Sequence, residues 1–405
     1  MKKLTVKLRW SPTEILTVGQ LADVDHRVYF EYDADFLQRN LQISPFKWPL
    51  RPGLIEHIDR SFGPLPGVID DSLPDGWGLL LMDQLFRKQH LDPVTISPLD
   101  RLSYLAERPM GALVYLPAAE TERDEELLNL HKIGKNAQEI YGGEAVEILP
   151  QLIRAGGSPG GARPKVLVGV KSDTIISGED DLPGGFEHWI VKFCAKVDRA
   201  DAGPMEFAYA KMAEAAGIEM PATRLFKVAK GTSYFGVRRF DRAPGNARVH
   251  VHTFGNLIHA NFRIPSTDYA DLMKVTHLLT RNYQDLLRVV RRMAFNIAAH
   301  NRDDHAKNFA FTMNPAGEWS LSPAYDLGYA PGPGGEHTMT ILGEGREPKR
   351  EHILQLAKQF DIHSRDVSSI LDEVNATIAK WPQFADQAGC SKKTIRAIQS
   401  ALRVL

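Results

Sequence analysis

NRDDHAKNFAF, residues 301–311, crowds Asp303, Asp304, His305, Lys307 and Asn308 into one short stretch. It follows Leu286, Val289, Val290, Met293 and Ile297, whose three- and four-residue spacing predicts one face of an amphipathic helix. It precedes PAYDL at 323–327. Such a polar run after an apolar helix is either a solvated helix end or a site that handles a metal and a proton. Asp303 lies five residues before Asn308, and Asp326 follows eighteen later. Asp and Asn supply hard oxygen ligands that suit Mg²⁺. A carboxylate just ahead of them suits a base that orients a hydroxyl. That is the division of labour of kinase-type phosphoryl transfer. The Asp303–Asn308 separation is that of the kinase catalytic loop, and YDLG at 325–328 stands where a metal-binding aspartate followed by glycine would. Asp304 and Lys307 read equally well as a loop ion pair. His305 reads as a structural hydrogen-bonder, since no second His or Cys at zinc spacing accompanies it.

Three upstream pieces bear on the same chemistry. GGSPGGARPK, 156–165, sits between a helix-like stretch and a strand. Glycines let backbone N–H groups converge on anionic oxygens, and Arg163 and Lys165 add positive charge; read alone, it is equally a flexible loop. Ser158 within it is a turn residue or a hydroxyl open to modification. Lys192 lies in HWIVKF and shares a strand face with Ile190 and Cys194. An inward lysine needs a partner anion; a solvent-facing lysine on an edge strand is the plainer reading. In VRRFDR, 237–242, Phe240 offers a flat surface for a base and Asp241 a partner for arginine, although a strand ending in an ion-paired turn also explains it. The order of glycine loop, strand lysine, Asp-x4-Asn and then Asp runs from phosphate contacts to metal ligands.

At 405 residues the chain is too long for one compact core. Its 49 Lys plus Arg against 50 Asp plus Glu leave a net charge of -1, so no global field draws it to nucleic acid or membrane. Two cysteines, Cys194 and Cys390, exclude a disulfide framework and point to a reducing, cytoplasmic setting. The N-terminal LTVKLRW alternates as a strand, unlike a leader, and no run reaches the ~20 apolar residues of a membrane span. Short strands and turns over 1–118, with a helix across 75–89, predict a small α/β domain. Residues 119–143 read as a connector or exposed helix. Strands at 161–173, 188–196 and 223–242 and a helix at 206–218 predict a strand-rich lobe over 144–243. Helical periodicity dominates 244–405, with further helices at about 349–360, 365–380 and 391–403 and Ser364 and Ser391 as N-caps. Two such lobes commonly hold a ligand between them.

SPGGARPK, the lysine of HWIVKF, RFDR, FNIAAHNRDDHAKNFAF and LSPAYDL together resemble the HipA family, the kinase toxins of bacterial type II toxin–antitoxin modules. GPLPGVIDDSLPDGWG and AERPMGALVYLP resemble that family's N-terminal domain, more loosely. The resemblance implies an α+β, bilobal protein-kinase-like fold: a HipA-like N-terminal domain over 1–118, then a kinase domain over 144–405 with a strand-rich nucleotide lobe and an all-helical C-terminal lobe. It implies Asp303 as catalytic base and Asn308 and Asp326 as Mg²⁺ ligands. ATP would lie against the loop Gly160, Gly161, Ala162, Arg163, Pro164 and Lys165, against Lys192, along the hinge Arg238, Arg239 and Phe240, and along His305, Ala306, Lys307 and Tyr325. Ser158 would be the autophosphorylated serine that expels the loop, its phosphate adding about -1.5 to -2 charge beside the ATP phosphates. The implied partners are a helix-turn-helix, HipB-like antitoxin, operator DNA reached only through that complex, and a protein substrate such as an aminoacyl-tRNA synthetase. Arg238 departs from the family, whose founding member has glutamate there, and Asp304 adds a carboxylate where some members have glycine. The Gly/Pro-rich 331–348 has no assigned role. The basic groups at 391–405 and at Arg281, Arg288, Arg291 and Arg292 are DNA contacts or plain solvated faces. A co-repressor that binds nucleotide without transferring it, or a small-molecule phosphotransferase, would use the same residues.

Overall fold

The alternation of LTVKLRW buries Leu4, Val6 and Leu8 on one side of a strand in the computed structural model of the chain. The structure describes residues 2–119, 127–143, 152, 160–195, 198–228 and 232–405. That strand, β1 (Lys2–Arg9), lies inside a five-stranded antiparallel sheet with β2 (Ile15–Val24), β3 (Arg27–Tyr32), β4 (Leu54–Glu56) and β5 (Leu113–Leu116), in the order β4-β3-β2-β1-β5. Its buried face forms one core with Trp48, Leu99 and Leu102, and with Met313 from far along the chain.

A second five-stranded antiparallel sheet contains β6 (Lys165–Lys171), β7 (Thr174–Ser177), β8 (Glu187–Lys192), β9 (Thr223–Lys227) and β10 (Ser233–Arg238), ordered β7-β6-β8-β10-β9. Its register sets Lys165 opposite Lys192, and Lys192 opposite Phe235. Trp77 and Leu81, from the helix Gly76–Lys88, pack into the core of this sheet. So does the helix Leu130–Tyr141, which lies in the stretch read as a connector or exposed helix. Its Leu130, Ile133, Ala137 and Ile140 are buried; each such Leu or Ile contributes about 1.5–3 kcal/mol.

The ribbon of β11 (Arg242–Ala243) and β12 (Ala247–Arg248) leads into the C-terminal lobe. The lobe's long helix, Tyr283–Ala298, buries Leu286, Val289, Val290, Met293 and Ile297 as their spacing predicts. Asn282 caps its start by accepting from the Gln284 amide. Its end closes with paired bonds, Asn301 N–H to the Asn296 carbonyl (2.8 Å) and His300 N–H to that of Ile297 (3.3 Å). His300 takes the left-handed position (φ 56°) where glycine is commoner. That closure turns the chain out of the helix and into 301–309.

The expectation of an all-helical C-terminal lobe needs correction. β13 (His250–Thr253), β14 (Ala310–Met313) and β15 (Trp319–Leu321) form a small antiparallel sheet there. These strands are three or four residues long, too short for a period to declare itself against the surrounding helices. The helix Trp381–Ala388 was likewise not anticipated, and His363 stands at the N-cap expected of Ser364. Ser391 caps its helix as expected. The segment 331–348 is packed in place: Met339 and Ile341 are buried, and Thr340 bonds Asp268. Among the described residues, no helix is long and apolar enough to cross a membrane.

Candidate active site

Lys192 ends β8 and faces the helix Ala202–Ala215, which carries Glu206. The lysine ammonium lies 2.8 Å from Glu206 Oε2 and 2.5 Å from Asp326 Oδ1. Burial opposes the Lys192 charge, but Asp326 and Glu206 together hold its pKa well above that of an ordinary lysine. Lys192, with Lys165 behind it, holds the Asp326 carboxyl far below the usual range against the opposing effect of burial. Asp326 itself adopts a left-handed backbone (φ 56°), a conformation that aspartate takes more readily than most side chains. Glu206 was not singled out in the sequence. The signal was available, because a lysine paired with a glutamate on the next helix belongs to the kinase arrangement already invoked for Asp303 and Asn308.

Asp303, Asn308 and His305 lie between the long helix and β14. Asn308 donates from Nδ2 to the Asp303 carbonyl (2.6 Å), leaving its amide oxygen available to a cation. His305 Nε2 stands 4.0 Å from Asp303 Oδ1. The Asp303 side chain is 63% exposed. Its pKa is raised, first by desolvation and then by the negative charges of Asp326 and Asp304, with His305 opposing. Asp303 and Asp326 therefore sense each other across one site. Asp304, the neighbouring carboxylate, is 1% exposed and turned the other way. It accepts from Tyr269 Oη (2.8 Å), His337 Nδ1 (2.9 Å) and the Thr338 amide (2.9 Å), and so ties 331–348 to the helices.

Gly160 to Lys165 run beside this cluster. Lys165 Nζ bonds back to the Gly160 carbonyl, and Arg163 pairs with Asp198. Lys165 is buried opposite Lys192; desolvation and then the Lys192 charge bring its pKa down to about 8. Lys307 lies 3.4 Å from Asp70 and over the Phe262 ring (4.8 Å). Tyr325 donates to the Lys307 carbonyl (2.7 Å) and stacks on Phe240, centroids 5.7 Å apart. Ala306 is buried beneath this turn.

Two hinge residues are occupied otherwise than the resemblance implies. Arg239 is 2% exposed and forms a two-pronged pair with Asp241, at 2.9 and 2.7 Å, which Arg242 shares. Arg238 pairs with Glu187 on the open surface at 2.9 Å. Ser158 lies outside the described residues. Of the basic group in the long helix, Arg288 is matched by Glu219 and Asp285, Arg291 by Glu373, and Arg292 is buried against the Ser322 carbonyl. Those three arginines brace the fold and are not free for DNA.

Any metal here would be held by the Asp326 carboxylate and the Asn308 amide oxygen. Among the described residues no group of three His, Cys, Asp or Glu is placed to hold one. Oxygen donors of this kind would suit a hard cation such as Mg²⁺.

The paired lysine, the Asp–Asn–Asp set and the two flanking lobes define a bilobal α+β protein with one candidate site. Family models divide the chain between a HipA N-terminal domain, residues 13–116, and a HipA-like C-terminal domain, residues 157–381. The second match alone takes in more than half the sequence, and the chain belongs to the HipA family. A solved complex of Shewanella oneidensis MR-1 HipA with HipB and operator DNA superposes with a TM-score of 0.71. That match covers 98% of this chain and 95% of the other at 16% identity. The Sinorhizobium fredii protein Y4dM, named as a candidate kinase, is 26% identical over 152 residues, which is 34% of this chain and 36% of that protein. Helicobacter pylori CtkA, a proinflammatory kinase, gives a TM-score of 0.33 at 12% identity over 53% of this chain and 90% of its own, too low to bear on the fold.

Proposed function

We propose that the protein is an ATP-dependent serine/threonine protein kinase, a HipA-like toxin restrained by a HipB-like helix-turn-helix antitoxin. The observation that carries this reading is Lys192 held between Glu206 and Asp326, facing the hydrogen-bonded Asp303–Asn308 pair. Lys192 and Lys165 bind the phosphates of ATP. Asp303, with its raised pKa, accepts the proton of the substrate hydroxyl as that oxygen bonds to the γ-phosphorus. The bond to the bridging oxygen breaks and ADP leaves. Mg²⁺, held by Asn308 and Asp326, would neutralise phosphate charge during the transfer. Ser158 is the proposed site of self-inactivation. A protein serine, on a synthetase or another target, is the proposed acceptor.

Incubation of the full chain with labelled ATP, Mg²⁺ and cell lysate, followed by mass spectrometry, tests the reading. Label is expected on Ser158 and on one lysate protein. Asp303→Ala should reduce transfer by about 10²-fold or more. Equal labelling by wild type and Asp303→Ala would overturn it. Label on a metabolite alone would make the enzyme a small-molecule phosphotransferase.

A further inference from the structure

Residues 66–77, PGVIDDSLPDGW, belong to the N-terminal region by sequence, yet they touch both sides of the candidate site. On the strand-rich side, Asp75 Oδ1 accepts the Gly161 amide. The Trp77 amide donates to the Gly161 carbonyl (3.1 Å), and its indole Nε1 to the Lys165 carbonyl (2.9 Å). On the helical side, Asp70 accepts from Lys307 (3.4 Å) and from Asn256 Nδ2 (3.0 Å). Asp71 accepts from His252 Nδ1 (2.6 Å), the Thr253 amide (2.8 Å) and the Thr253 hydroxyl (2.7 Å). Both ends also meet backbone on backbone. A Cβ on Gly67 would overlap the Asn256 carbonyl, and one on Gly76, at φ +42°, would lie 2.7 Å from the Ala162 Cα.

Given the phosphotransferase reading on which it rests, we propose that 66–77 is a strut that positions the phosphate-binding loop against the catalytic segment. Asp75 and Trp77 are its positioning residues on the loop side, and Asp70 on the catalytic side. Neither aspartate has to touch substrate. Asp75 holds the Gly161 amide, and with it the short turn that ends at Lys165. Asp70 holds Lys307, one residue from Asn308. The N-terminal region is then part of the transfer machinery and more than an appended docking module.

Two measurements on the full chain test this. The first is steady-state kinetics with ATP varied. Asp75→Ala should raise KM for ATP about tenfold, with kcat within about twofold. Asp75→Asn, which keeps an oxygen acceptor, should recover most of the loss. Asp70→Asn should instead lower kcat several-fold and leave KM within about twofold. The second is amide hydrogen exchange without nucleotide. Asp75→Ala should speed exchange over 161–165 about tenfold while β8 keeps its protection. Wild-type KM and wild-type exchange in a folded Asp75→Ala protein would overturn the strut. So would a fall in Tm with KM and kcat moving together and no recovery in Asp75→Asn. Should wild type neither bind nucleotide nor transfer phosphate, the function proposed above fails, while exchange at 161–165 still decides the strut.

Discussion

Asp303 and Asp304 are chemically identical neighbours with opposite surroundings. Asp304 is enclosed by three donors and serves as an anchor. Asp303 opens toward Asp326, and its charged form is penalised by desolvation and by that second carboxylate. A carboxyl whose folded pKa is raised stabilises the fold while protonated, and that contribution is lost as pH rises through the folded value. Asp303→Asn should abolish transfer and leave the protein folded, with calorimetry at pH 7 as the check on the fold. The acid limb of the wild-type pH–rate profile should lie above the ordinary carboxylate range. Lys165 runs the other way. Its folded pKa is lowered to about 8, so the stability linked to its neutral form is lost as pH falls through that value. A bound triphosphate offsets that loss by favouring the charged amine. Nucleotide binding at pH 8 should take up about half a proton, measured by titration calorimetry in buffers of different ionisation heat. Lys165→Met should remove the uptake.

Among the elements, the joint between lobes buries a charged cluster. Asp241 is fully buried among Arg239, Arg242 and the Gly111 amide, and despite burial those arginines hold its pKa far below the usual range. Its contribution is present above the unfolded carboxylate pKa and lost as pH falls through the folded one. Asp241→Asn leaves two buried guanidiniums without their counter-charge and should cost about 3–5 kcal/mol, read as a lower urea midpoint at unchanged slope. Long periodic elements were legible: the helix at 283–298 and the strand at 165–171 lie where their patterns put them. The short strands of the third sheet were not, because three or four residues carry no period. The connector helix was misjudged because its polar residues are conspicuous in sequence, while the apolar stripe Leu130, Ile133, Ala137 and Ile140 becomes evident only against the sheet it covers.

Over the whole molecule, the regions named in sequence share their cores. Met313 of the C-terminal lobe is buried in the N-terminal core, and Trp77 of the N-terminal region lies in the strand-rich one. His250 and His252 join the lobe to Ile43, Ser44 and Asp71. Thermal unfolding should therefore be one cooperative transition, and an isolated 1–118 fragment should not give its own; a separate first peak in calorimetry would contradict the shared cores. With a net charge of -1 and Arg288, Arg291 and Arg292 engaged within the fold, the chain alone should not retain operator DNA in a mobility shift at about 0.15 M salt. Local order and chemistry were decided by the sequence alone: the helix and strand periods, the Asp303–Asn308 spacing, the glycine loop and the lysine that follows it. These depend on neighbours along the chain, where periodicity and residue type act directly. The partners of those groups were decided only in three dimensions. Glu206 on Lys192, Asp75 on Gly161, Asp70 on Lys307 and Asp241 on Arg239 and Arg242 are pairings chosen by packing. A charge's environment is set by what the fold brings within a few ångströms, and most of that comes from elsewhere in the chain.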